Sequence, residues 1–374
     1  MPEDRSFDIS KMEISRRKLF VGAGAAAFLA ACSKEISQRS SGGGSSPTVS
    51  DQLESELSIY NWADYVHPKT YPAFEKEFDV TITEDSYPSN EDALAKLEAG
   101  ARGYDIVVPS GYMVDVMAKQ GLLSEFDHSK IPNLSIVDPK FLNTPFDPDN
   151  RWSVPKDFGT TGYCYRSEFV KDEMTSWEDF YRLASKYSGR YTVLDSSPEV
   201  VGSALKMLGY SYNSNDPKEI EEATQELLKF KPHVRKITSS MREIMISGEA
   251  WISLTWNGEA GYVAAEAADT VYAVPTEGTE VWTDNWCIVE GAPHPAAAHA
   301  FINWHLEPEQ QARDTEYHYY GGVVEGEEEF LKPALANDPA IYPPDEITAQ
   351  LEFAEATPEW LRLRNEAWTK FKAA

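Results

Sequence analysis

The sequence predicts an α/β protein assembled from two successive sets of alternating strands and helices. Two observations predict it. Short apolar or β-branched runs alternate with helix-period stretches from residue 57 onward, and 374 residues suffice for two or three domains or one bilobed body with ample core. In the first set, LSIYNW (57–62) reads as a strand, PKTYPAFEKEF (68–78) as a helix and VTITEDS (80–86) as a β-branched strand. NEDALAKLEAG (90–100) is a helix with a glycine stop, YDIVVPS (104–110) a buried-type strand, and YMVDVMAKQGLLSEF (112–126) an amphipathic helix. That order argues for a parallel sheet with helices on both faces. In the second set, RYTVLDSSPEVVGSALKMLGYS (190–211) gives a strand, a Ser/Pro turn and a helix, and AWISLTWNGEAGYVAAEA (250–267) a strand leaving into a helix. TVYAVPTEGTEVWTDNWCIVEGA (270–292) reads as a strand, a turn carrying Trp282 and Asp284, and another strand; helices at 294–306, 307–317 and 357–372 complete the chain.

The N-terminal region reads as an address. Ser15-Arg16-Arg17-Lys18-Leu19-Phe20, the short apolar run 21–31 and Cys32 form a twin-arginine export signal, too short to span a bilayer, that ends in Leu-Ala-Ala-Cys. That ending resembles a lipobox, so Cys32 is the expected lipidation site and the membrane the expected anchor. Residues 33–52 are a Ser/Gly-rich tether without apolar period. The expected location is the outer face of the cytoplasmic membrane, periplasmic or extracellular.

Charge narrows the function. With 34 Lys and Arg against 61 Asp and Glu, the formal net charge is −27, and the acidic residues are spread over the whole length. Such a surface repels nucleic acid. It suits a cationic ligand, or a salty medium in which acidic repulsion is screened, as on the proteins of a salt-loving organism. The body's cysteines, Cys164 and Cys287, are unclustered and make no zinc site, while a disulfide between them stays open.

Ligands of open parallel sheets sit beyond the carboxyl ends of the strands. The residues there form a chemically uniform set: Trp62, Asp64 and Tyr65; Ser110 and Tyr112; Glu199 in the first turn of its helix; Trp256; and Trp282 with Asp284. Taken singly, Asp64 is also a common turn former and Glu199 a common first-turn carboxylate. Together they combine carboxylates with flat aromatic faces and include no Lys or Arg. The sequence shows no Ser–His–Asp set, phosphate loop or metal-spaced histidine pair. Carboxylates between aromatic walls fit a cation with an apolar body: rings attract ammonium by about 0.5–2 kcal/mol each and cover methylenes, and carboxylates add charge-assisted hydrogen bonds.

YNWADYV, YDIVVPSGYMV, LNTPFDPDNRWSVP, MTSWEDF, LGYSYNSNDPKEIEEA, WNGEAGYV and IYPPDE, in that order, resemble the spermidine/putrescine-binding proteins of ABC importers over residues 57–372. The resemblance implies a two-lobed solute-binding fold, each lobe a mostly parallel sheet flanked by helices, that closes on a linear polyamine and delivers it to a membrane permease. It implies no catalysis, cofactor or metal, and a monomer. The lobes would be 53–160 with 283–325, and 161–282 with 326–374. The resemblance assigns Trp62, Asp64, Tyr65, Ser110, Tyr112, Glu199, Trp256, Trp282 and Asp284 to the pocket, together with a tyrosine at Tyr319, Tyr320 being the alternative. Two positions depart from the spermidine pattern: Ser196-Ser197 stand where a carboxylate is expected, with Asp195 one residue out of phase, and Glu352-Phe353-Ala354 where a glutamine is. A neutral Ser196 leaves a mid-chain amine unpaired, which favours putrescine or another diamine. The rival readings are another cationic solute such as thiamine, ferric iron on Tyr319-Tyr320, and a thiaminase-like enzyme with Cys164 as nucleophile.

Overall fold

The computed structural model describes residues 53–374; the twin-arginine segment, Cys32 and the tether lie outside the described residues. Nine strands form the central sheet: β1 (Glu56–Trp62), β2 (Thr81–Tyr87), β3 (Ile106–Val107), β4 (Val154–Arg166), β5 (Tyr191–Val193), β6 (Val234–Ile237), β7 (Ile252–Trp256), β8 (Thr270–Ala273) and β9 (Val281–Ile288). Their order is β2-β1-β3-β9-β4-β7-β5-β6, with β8 also on β4. The flanks β2-β1-β3 and β7-β5-β6 are parallel, and the pairings through β9 and β4 antiparallel.

The two-residue period of extended chain sorts the side chains into cores. Around β1, β3 and β9, Leu57, Ile59, Ile106, Trp286 and Ile288 enter one core, while Tyr60, Val107 and Cys287 enter another on the opposite face. In the second half, Tyr163, Ile252 and Leu254 join a core closed by Leu363 and Phe371 of the C-terminal helix Pro358–Ala373. Cys164, one residue on, faces a smaller core with Met241 and Met245.

β4 and β9 join the two halves. Residues 154–160 of β4 pair with β9, whereas Thr161–Tyr165 pair with β7 and Tyr163–Arg166 with β8. β4 thus starts in one core at Val154 and Phe158 and ends in the other at Tyr163.

Two sequence expectations need correction. The stretch 112–126 is not one helix: the helix Gly111–Lys119 stops before Gly121, whose φ of +69° takes the chain out of the helix, and Leu123 bridges to Val289. Trp282 and Asp284 are not in a turn but inside β9. Thr283 and Asn285, which alternate with Trp282 and Asp284, are polar although buried, so the sequence of β9 lacks the apolar alternation that marks a strand.

Candidate functional site

One cleft of about 800 Å³ is lined by every residue of the sequence-derived set except Tyr319. At the end of β1, the Trp62 indole Nε1 donates to Val108 O at 2.9 Å and its ring lies 4.7 Å from that of Tyr87. The chain then turns: Asp64 has a φ of +55°, a left-handed position that Asp tolerates, and its side chain stands exposed at the cleft mouth. Asp64 is therefore both a turn former and a cleft residue. Beyond it the chain is tied down by Asp314, which accepts from His67 N at 3.0 Å, Thr70 Oγ1 at 2.9 Å and His305 Nε2 at 2.9 Å.

Tyr65, buried between the turn and the sheet, donates toward two carboxylates, Asp284 at 2.7 Å and Asp157 at 2.9 Å. The second oxygen of Asp284 accepts from Ser110 Oγ at 2.6 Å. Ser110 sits at the N-terminal end of helix Gly111–Lys119 and is held by Asn90, which accepts from its backbone N–H and donates to its hydroxyl and to the Tyr112 hydroxyl. Burial, and then the neighbouring Asp157, push the Asp284 carboxyl up to about 7. Burial opposes ionisation of Asp157 too, but Lys156 and His318 overcome it and hold that carboxyl below its usual range. Lys156 is fully buried, pairs with Asp157 and lies 4.0 Å from the Tyr65 ring centroid. His318 Nε2 stands 3.3 Å from Asp157 without completing a hydrogen bond.

The opposite wall comes from the second half of the chain. Glu199, in the first turn of helix Ser197–Met207, accepts from Ser196 Oγ and, at 3.3 Å, from Trp256 Nε1. Burial raises its carboxyl above the usual range. Trp282 rests on Gly159 of β4, where a Cβ would come within 2.4 Å of the indole, so that position requires glycine. The ring also meets Tyr320 at 4.9 Å, edge to face. Among the cleft's lining residues Lys236 and Arg242 are the basic ones, against many carboxylates. Arg242 is committed to Glu259 and to the Tyr262 ring.

One assignment changes, and two open points are decided. Tyr320, not Tyr319, lines the cleft: Tyr319 ends helix Pro308–His318 with a φ of +62° and packs toward Gly261 and Tyr262. With only one tyrosine of the pair in the cleft, the ferric reading loses its ligands. Glu352 does not enter the cleft, because it is bound by Lys206, Ser211 and the Tyr212 N–H. Cys164 and Cys287 are both free and buried, on different cores, so they form no disulfide. Burial pushes the Cys164 thiol far up, and the enzyme reading has no nucleophile there. Two residues the sequence reading missed matter here: Lys156, concealed inside the strand-like VPKDFG, and Glu280, next to the strand it precedes.

A bilobed α/β body with an acidic, aromatic interlobe cleft defines a solute-binding protein. The chain belongs to the family of bacterial extracellular solute-binding proteins, which it matches over residues 69–343. It is 36% identical over 321 residues (85% of this chain, 91% of the relative) to the spermidine/putrescine-binding periplasmic protein of Escherichia coli. It is 31% identical over 338 residues (85% and 92%) to the putrescine/agmatine-binding protein of Pseudomonas aeruginosa. The crystal structure of the spermidine/putrescine ABC transporter substrate-binding protein PotD from Streptococcus pneumoniae superimposes with a TM-score of 0.78 at 34% identity, covering 86% of this chain and 99% of that one.

Proposed function

We propose that this protein is the extracytoplasmic binding component of an ABC importer and that it captures a linear polyamine for delivery to the permease. The observation that carries the reading is Asp284: a buried carboxylate, fixed by Ser110 and Tyr65, opening on a cleft walled by Trp62, Trp256 and Trp282. An ammonium placed there gains a charge-assisted hydrogen bond, and the indoles cover its methylenes and exclude water. Asp64, Tyr65, Tyr112 and Glu199 complete the ligand shell, and Tyr320 replaces Tyr319 in it. Binding closes the cleft by hinge motion. The lobes divide as 53–160 with 283–325 and 161–282 with 326–374; part of the last segment leans on the first lobe, where Tyr342 meets Phe158. Arg16 and Arg17 direct export, and a lipid on Cys32 tethers the body.

Calorimetric titration with spermidine and putrescine, against thiamine and simple sugars as controls, tests the reading. Saturable binding of an amine accompanied by a change in tryptophan fluorescence is expected; no amine binding overturns it. Cys32→Ser should release an intact body from the membrane fraction, and retention after a salt wash refutes the anchor.

A further inference from the structure

Glu280 immediately precedes β9 and shares the strand face of Trp282 and Asp284, because alternate residues of an extended chain point the same way. It lines the cleft yet is only 4% exposed. Its Oε2 accepts from the Tyr212 hydroxyl at 2.6 Å, and no described donor bonds its Oε1. The groups that face it are Glu199, Asp284, Tyr112, Tyr212 and Arg364. Arg364 is its nearest cation, but that guanidinium gives its hydrogen bonds to the carbonyls of Tyr212, Ser214 and Trp360. Set among other acids and facing a guanidinium that bonds elsewhere, this buried carboxyl has no salt-bridge partner among the described residues.

Length gives the second argument. Glu280 and Asp284 are four residues apart, about 13 Å of strand, with the Trp282 indole between them. An extended triamine with one three-carbon and one four-carbon link is about 11–12 Å long at ordinary bond lengths, whereas the nitrogens of a four-carbon diamine are only about 6 Å apart. A diamine covers about half of the strand span from Asp284 to Glu280, whereas a triamine lying over Trp282 covers most of it.

Resting on the polyamine reading above, we propose that Glu280 is a specificity-determining residue that receives the third ammonium of a linear triamine and makes the cleft prefer a triamine to a diamine. The carboxylate absent at Ser196 is thereby supplied from another element, and Ser196 instead donates its hydroxyl to Glu199. Burial, and then the neighbouring Glu199, push the Glu280 carboxyl well above its usual range, which favours its protonated form in the empty cleft. Engaging the third ammonium therefore transfers that proton to the buffer, a step a diamine does not require.

The test is calorimetry of the full chain with spermidine and putrescine in two buffers of different ionisation enthalpy. The wild type should bind spermidine at least tenfold tighter and release about one more proton with it than with putrescine. Glu280→Gln should lose at least tenfold for spermidine, stay within twofold for putrescine, and release equal numbers of protons with both. Equal proton release from wild type, or equal losses for both amines in Glu280→Gln, overturns the proposal while leaving the polyamine reading intact. A wild type that binds neither amine refutes the polyamine reading itself. If Glu280→Gln does not fold, the proton count on the wild type decides alone.

Discussion

The two ends of the cleft are supported very differently. At one end Asp284 is gripped by Ser110 and Tyr65, and behind these stand Asn90, Asp157, Lys156 and His318. At the other, Glu199 has one hydroxyl and one long indole contact, and Glu280 one phenol. A carboxylate fixed by packed partners is preorganised to receive charge, while one with spare lone pairs adjusts to what arrives. On the proposed reading, the first end sets whether an amine binds, and the second which amine.

The sharpest way to break this contrast is Asp284→Asn. Leaving an enclosed ammonium unpaired should cost about 2–5 kcal/mol of affinity for every amine alike, read by calorimetry. Glu199→Gln keeps a hydrogen-bonding group at the looser end and should cost less, about 1.5 kcal/mol; a loss equal to that of Asp284→Asn would erase the distinction. Gly159→Ala pushes a methyl into the Trp282 ring and should lower stability by about 1–3 kcal/mol, measured by denaturant unfolding, with amine affinity falling as well.

A pH series sharpens the comparison. Asp284 holds its proton to about pH 7 when folded but only to about 3.8 when unfolded. Between those values the folded state binds more protons, so the group's contribution to stability falls as pH rises through the window and levels above it. An ammonium demands the ionised form, so amine affinity should rise with pH, by up to about tenfold per unit below 7, and flatten above. Asp284→Asn should remove its part of that slope. Smallest of all is Tyr319→Phe, expected within twofold of wild type in a binding titration, whereas Tyr320→Ala should weaken binding clearly.

Much of this was legible in the sequence. The strand-end rule located Trp62, Tyr65, Ser110 and Tyr112 because a parallel strand, a turn and a helix leave distinct local patterns. Trp282 and Asp284 were recognised as cleft residues but assigned to a turn, since Thr283 and Asn285 give β9 no apolar alternation. Local pattern could not choose between Tyr319 and Tyr320, because the choice depends on the left-handed φ at Tyr319. Lys156 and Glu280 carry no local signature at all. A buried lysine in β4 and a buried glutamate before β9 read as surface charge until the partners that enclose them, from distant parts of the chain, are known.

β4 and β9 are hydrogen-bonded to each other along Val154–Thr160, beside the first core, and β4 then runs on into the second. Two paired strands yield by torsion, spread over several residues, and do not swing like a loop. Glu280, Trp282 and Asp284 all ride on this ribbon or at its end, so whatever rests on them also sets its twist. On the polyamine reading, the length of the bound amine would then bear on the twist of this ribbon and so on the angle between the halves it joins.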